Sequence, residues 1–125
     1  SLHISGSPVN TSGVGKANSF AVQSSNGLSF STDRIIVPKD GLYLITFTTI
    51  SDTSIGRVDA DIIINDTTIV ALLSEANGDG FHQKTGTISL NLSSGDYIQF
   101  SNDDWYHSTN SSYDPFRTAS VVYLG

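Results

Sequence analysis

The sequence predicts an all-β fold, an antiparallel sandwich of about ten strands in a single domain. No segment repeats its apolar residues with the period of a helix, whereas short apolar segments recur between turn sequences. Ser, Thr and Asn make up roughly a third of the chain, and a surface of hydroxyls and amides favours strands and turns over helices. A length of 125 residues suits one domain with a modest core.

By composition the chain divides into two segments. Residues 1–18 are rich in Gly and Ser and are predicted to be a linker with one strand, joining a stalk to a head domain over residues 19–125. This linker-like start favours a fragment of a longer protein. Within the head, strands are predicted near residues 19–23, 28–31, 34–38, 42–50, 58–65, 68–73, 85–92, 97–100 and 119–124.

Two of the predicted strands are apolar on both faces. Strand 85–92 alternates apolar and polar residues, as expected when one face is in water. Strand 42–50 and the last strand do not alternate. If these two lie side by side, their second faces form a patch that a monomer leaves in water, which indicates either an oligomer interface or a surface covered by a loop or the N-terminal segment. The predicted interface residues are Leu42, Leu44, Ile50, Val122 and Leu124.

Charge and composition exclude several classes of function. The net charge is −6 with six basic residues, which argues against nucleic acid and anionic membranes as partners. No apolar run is long enough to cross a membrane as a helix, so membrane insertion is not expected. The absence of cysteine excludes disulfides and thiolate sites. The polar, charge-poor composition is typical of extracellular, cell-surface or virion proteins.

The segment "GLSFSTDRIIVPKDGLYLITFTTI" resembles a signature of the tumour necrosis factor and complement C-one-q globular-head superfamily. There, a short strand, a P-x-x-G-x-Y turn and a Tyr/Phe-alternating strand follow in this order, matched here by Pro38, Gly41, Tyr43 and Phe47. The segment "TGTISLNLSSGDYIQF" is similar to the family's penultimate hairpin. Thr118 to Ser120 depart from the family's frequent Phe-x-Gly, so the resemblance is to a remote, microbial or viral type. It implies a jelly roll that assembles as a homotrimer, with function on exposed loops.

Catalytic and metal motifs are incomplete. The segment "GVGK" lacks the spacing of a phosphate loop, and no Gly-x-Ser-x-Gly elbow is present, so the sequence predicts no enzyme and no catalytic residue. Asp59 and Asp61 share one face of a strand. Asp79 lies in a segment that imitates the first half of a calcium loop. No cofactor is expected, with calcium at these aspartates as a minor alternative to a solvated strand face and a polar loop.

The loop "SNDDWYHSTNSSYDPF", residues 101–116, is the candidate binding surface. Aromatic side chains among Asn, Ser and Asp are typical of binding surfaces and suit sugars, because a ring stacks on a pyranose while carboxylates and amides bind its hydroxyls. Alternatively, Trp105 and Tyr113 tuck back as a lid over the sandwich. Phe116 is predicted to re-enter the core. The candidate ligand contacts are Asn102, Asp103, Asp104, Trp105, Tyr106, His107 and Tyr113.

These observations predict a non-enzymatic, trimeric head domain of a fibre, virion or cell surface. Loops near residues 51–57, 74–84 and 101–116 would attach it to a receptor, either a glycan or a protein. Two alternatives stay open, a structural trimer that decorates a capsid or surface layer and a secreted signalling ligand.

Overall fold

The computed structural model describes residues 1–52, 55–77 and 81–125. Within these residues the chain forms eleven strands and one short 3-10 helix, Ser111–Phe116. The strands are β1 (His3–Val9), β2 (Gly15–Lys16), β3 (Ser19–Asn26), β4 (Phe30–Ser31), β5 (Arg34–Ile36), β6 (Gly41–Asp52), β7 (Ile55–Ile64), β8 (Thr67–Asn77), β9 (Phe81–Leu92), β10 (Tyr97–Asn102) and β11 (Thr118–Tyr123). The predicted all-β class is confirmed.

The strands form two facing antiparallel sheets. The first sheet has the order β3-β1-β11-β6-β9, and the second has the order β4-β5-β10-β7-β8, with β2 added beside β10. Neighbours in each sheet are mostly distant in sequence, as in a jelly roll, where the chain passes repeatedly between the two sheets. The architecture therefore depends on long-range pairing.

The core lies between the sheets and is built from alternate residues of each strand. On β6, Tyr43, Ile45 and Phe47 are fully buried, and they face Ile62 and Phe100 of the second sheet. The rings of Phe47 and Phe100 lie 5.1 Å apart between centroids. The two-residue period of the sequence thus selects which side chains meet in the core.

The N-terminal segment belongs to the sandwich, which corrects the predicted boundary at residue 18. Strand β1 pairs with both β3 and β11 in the middle of the first sheet, and Ile4 and Ala17 are completely buried. Composition alone pointed to a linker because the segment is rich in Gly and Ser. Those small residues lie in a central strand and its turn instead.

The connections between long strands are short. Asn65 and Asp66 join β7 to β8 with positive φ angles of 50° and 64°, the left-handed pair that a tight hairpin turn requires. The predicted loops 51–57 and 74–84 are largely strand, because β6 reaches Asp52 and β8 reaches Asn77. Residues 53–54 and 78–80 lie outside the described residues.

The sandwich has two distinct ends. At one, the terminal end, Leu124 N donates to Leu42 O at 2.7 Å and Tyr123 N donates to Leu2 O at 3.0 Å, so both chain termini lie together. At the other, the loop end, Asp52 N donates to Asp104 Oδ2 at 2.8 Å. The 103–117 segment and the termini are therefore on opposite ends. Among the described residues, no helix has the length and apolar character needed to cross a membrane.

Candidate ligand-binding surface

Trp105 anchors the 103–117 loop to the sandwich. Its side chain is only 2% exposed and packs against Phe47 with 5.7 Å between ring centroids. The indole Nε1 donates to Gly15 O at 2.7 Å, and the backbone N of Trp105 donates to Gly13 O at 2.9 Å. The expectation that Trp105 contacts a ligand is therefore wrong, because the indole is part of the core.

Asn102 is also internal. It is fully buried at the end of β10, and its Nδ2 donates to Thr49 Oγ1 at 3.0 Å. Its place among the predicted ligand contacts is corrected as well. A polar residue at this position is stable inside the protein because its amide is hydrogen-bonded on both sides.

Arg117 shapes the loop from within. The guanidinium is 2% exposed, and its Nη1 donates to the backbone oxygens of Tyr106 at 2.7 Å and His107 at 2.9 Å. Its Nη2 donates to Asn110 O and to Asp114 Oδ1, both at 2.8 Å. Composition gave no signal for this role, since a basic residue after a loop is ordinarily solvated. The planar, multi-donor guanidinium can bind several carbonyls at once.

The loop presents a compact aromatic cluster. Tyr106 lies 4.1 Å from His107 and 5.0 Å from Tyr113 between ring centroids. His107 stacks on Tyr113 at 4.6 Å. Three of the predicted contact residues are thus brought together. Asp103 is exposed beside them in sequence, and its carboxylate accepts the backbone N–H of Asp59 at 3.2 Å, as a carboxylate oxygen of Asp104 accepts the backbone N–H of Asp52.

Two phenylalanines outside the predicted ligand contacts complete the aromatic surface. Phe81 begins β9 and packs edge-on against Tyr106 at 5.0 Å, while Phe116 lies 6.1 Å from Tyr113. Phe81 is 64% exposed and Phe116 is 48% exposed, so the prediction that Phe116 returns to the core is wrong. Together they line a groove of about 420 Å³, whose walls are Ile50, Phe81, Gln83, Tyr106, Tyr113 and Phe116.

The outer face of the first sheet carries the predicted interface residues. Leu44 pairs with Val122 across β6 and β11, so the two strands with apolar second faces are neighbours. Leu42, Leu44, Ile50 and Val122 are all partly exposed on this face, and Leu124 is exposed just beyond β11. The other outward positions of β6 up to Ile50, of the paired part of β9 and of β11 are Thr46, Thr48, Gln83, Thr85, Thr87, Ser89, Asn91, Thr118 and Ser120.

Solved structures with the same architecture exist. The chain superposes on two crystal structures of murine APRIL, one at pH 8.0 with a TM-score of 0.76 and 16% identity, the other at pH 5.0 with a TM-score of 0.77 and 14% identity. Each match covers 98% of this chain and 98% of the other. The chain therefore has the same jelly-roll fold as this tumour necrosis factor-family ligand. The predicted resemblance is confirmed as a likeness of fold. No protein-family model and no curated protein matches the sequence.

The loop end of this tumour necrosis factor-like jelly roll encloses a polar network. Lys84, which points inward from β9, is 4% exposed, and its Nζ donates to Ser51 Oγ at 2.7 Å and to Asn102 Oδ1 at 3.3 Å. Burial lowers the pKa of Lys84 to about 8, against the opposing attraction of Asp104 and Asp103. No pattern in the sequence predicts this network, because its members lie on three strands of both sheets.

The aspartates considered for calcium lie on the second sheet. Asp59 and Asp61 are outward on β7, as their spacing predicts, with Ala60 buried between them. Burial and the neighbouring Asp59 raise the pKa of Asp61. Asp79 lies outside the described residues. Among those that are described, no cluster of three or more acidic or histidine side chains could hold a metal ion.

Proposed function

We propose that the chain is a non-enzymatic head domain that assembles as a homotrimer and attaches to a glycan receptor through the aromatic surface at its loop end. The location would be extracellular, on a cell surface or on a virion. Nucleic acid is not a proposed partner, because the chain carries a net charge of −6. The proposal rests chiefly on the composition of the outer face of the first sheet.

That face is free of charged side chains from Leu42 to Thr48 and along the paired positions of β9 and β11. Ile50 and Gln83, nearer the loop end, belong to the groove. Depletion of charge with retained apolar residues is the composition of an interface centre. Several hydroxyls on the face are already paired within the chain, since Thr48 Oγ1 lies 3.1 Å from Thr85 Oγ1 and the hydroxyls of Thr46 and Ser120 are in contact. Burying such pairs between subunits leaves fewer polar atoms unsatisfied.

The position of the aromatic surface supports attachment. Both termini lie at the opposite end of the sandwich, so a stalk joined there would leave the loop end free. The groove is lined by Phe81 and Tyr106, whose rings pack edge-on at 5.0 Å, and by Gln83. Aromatic rings with a few polar groups bind the apolar faces and the hydroxyls of a sugar.

The trimer is tested by placing a charge on the face. Leu44→Asp would bury a carboxylate without a partner at the subunit contact, and we expect sedimentation equilibrium to change from three chains to one. Ile69→Asp, at an apolar residue of β8 that is 40% exposed, is the matched control and should keep the trimer. A monomeric parent protein would contradict the proposal.

The same measurement tests calcium. If the solution mass of the parent protein fell when a calcium chelator was added, calcium would be restored as a cofactor.

Glycan attachment is tested on the groove. Phe81→Ala and Tyr106→Ala should each weaken the affinity for a glycan identified on an array by roughly tenfold or more, as truncation of an interface anchor does. The trimer should persist in both variants. Tyr97→Ala, on the second sheet, should bind normally. Unchanged binding in both groove variants would refute this site. Loss of the trimer in Phe81→Ala would show instead that the groove contacts a second subunit, as a structural trimer requires.

A signalling ligand is a second candidate, favoured by the fold likeness to murine APRIL, a jelly-roll ligand of the tumour necrosis factor family. In that case the receptor is a protein. Capture of a protein receptor by the trimer, insensitive to removal of glycans and to Tyr106→Ala, would support this candidate over glycan attachment.

A further inference from the structure

Lys84 and Asn102 meet between the two sheets at the loop end. Lys84 belongs to β9 of the first sheet and Asn102 to β10 of the second, and the Nζ of Lys84 lies 3.3 Å from Asn102 Oδ1. Lys84 is 4% exposed and Asn102 is 0% exposed. An amine and a carboxamide are therefore held in contact where bulk water and other reactants do not reach them.

The carboxamide is placed as an electrophile. Its Oδ1 accepts a hydrogen bond from the backbone N of Asp104 at 3.0 Å, and Ser51 Oγ lies 3.2 Å from Oδ1 and 3.0 Å from Asp104 O. The backbone N–H, together with the Ser51 hydroxyl when it turns toward Oδ1, stabilises the negative charge that develops on the oxygen when a nucleophile adds to the carbonyl carbon. The leaving nitrogen, Nδ2, contacts the hydroxyl of Thr49 at 3.0 Å.

The amine is placed as a nucleophile. An ammonium has no lone pair, so Lys84 attacks only when neutral, and burial lowers its pKa to about 8 even though Asp104, Asp103, Asp59 and Asp61 favour the charged form. The neutral amine is accordingly common at mildly alkaline pH. Ser51 Oγ, 2.7 Å from Nζ, lies between the amine and Asn102 Oδ1 and can relay a proton from one to the other.

We propose that Lys84 and Asn102 join in an intramolecular amide bond that cross-links the two sheets. Nζ forms a bond to Cγ of Asn102, and the Cγ–Nδ2 bond breaks. The neutral amine loses one proton, which Ser51 takes up as it passes its own proton to Oδ1. When the carbonyl re-forms, Oδ1 returns that proton, and the departing nitrogen gains one proton from the hydroxyl of Thr49, which is reprotonated in turn. The nitrogen departs as ammonia, so the net change is one proton moved from Nζ to the leaving group. No oxidant, metal or cofactor is consumed.

The bond would serve a chain that has no cysteine. A covalent link between residues on opposite sheets closes a loop and restricts the unfolded chain, as a disulfide does. The inference is independent of the receptor and of the trimer, because every group it uses lies within one chain.

The test measures the mass of the parent protein, without substitutions, before and after the folded chain is incubated near pH 9. The expected product is lighter by one ammonia per chain. Trypsin should fail to cut after Lys84, so a fragment of residues 58–117, also lighter by one ammonia, replaces the separate fragments 58–84 and 85–117. Ring closure at Asn26–Gly27 or Asn77–Gly78 also releases ammonia, but it leaves Lys84 open to trypsin and so gives a lighter fragment 17–34 or 58–84 and not a joined fragment 58–117.

Two comparisons make the result decisive. The same chain incubated in guanidinium should not react, because unfolding separates the two residues. Lys84→Arg keeps the positive charge but removes the nucleophilic amine, so this variant should lose no ammonia. Lys39→Arg leaves Lys84 in place and should lose ammonia as the parent protein does. The proposal would be overturned if the folded parent protein, after incubation, kept its full mass and was cut completely after Lys84.

Discussion

Replacing Trp105 with alanine is expected to lower the free energy of unfolding by about 3–5 kcal/mol, the range for truncating a large buried aromatic side chain. The indole is 2% exposed and packs on Phe47, and its Nε1 holds Gly15 O. Its removal creates a cavity and also removes the hydrogen bond from the loop to Gly15 O. Urea denaturation followed by circular dichroism measures the change.

Tyr113→Ala is the matched control, because it removes an aromatic side chain of the same loop that is only partly buried. Tyr113→Ala should lower the free energy of unfolding much less than Trp105→Ala does. It should weaken ligand binding more than it destabilises the fold. If Trp105→Ala destabilised the protein no more than Tyr113→Ala, the placement of the indole in the core would be contradicted.

Replacing Arg117 with lysine is expected to destabilise the protein by about 2–3 kcal/mol, because the buried charge stays but backbone carbonyls are left without a donor. A lysine keeps the charge but cannot reach Tyr106 O, His107 O and Asn110 O together, as the guanidinium does. Hydrogen exchange should show the amides of residues 106–114 exchanging faster, because the carbonyls that shape the loop lose their donors.

The control for Arg117 is Arg34→Lys on the second sheet. Arg34 Nε pairs with Asp33 at 2.8 Å on the surface and lies over the ring of Tyr97. That substitution should leave exchange in the 103–117 loop unchanged. Equal exchange rates in Arg117→Lys and the parent would show that other contacts hold the loop.

The aromatic side chains of the 101–116 segment show where prediction from sequence stops being accurate. Their composition was correctly singled out, and Tyr106, His107 and Tyr113 do cluster. Composition could not separate these from Trp105, because a strand's period predicts which side faces the core whereas an irregular loop has no period. Which ring a loop buries depends on what the loop crosses, here Phe47 and the 10–18 segment.

The sequence by itself determined the all-β class, the core faces of the long strands and the two strands with apolar second faces, because alternation along a strand is a local property of the chain. Only the tertiary structure decided that residues 1–18 enter the first sheet, that Phe81 joins the loop aromatics, and that Lys84 meets Asn102. Each of these depends on pairing between segments far apart in sequence. Such contacts are set by the packing of the whole sandwich, and no short segment encodes them.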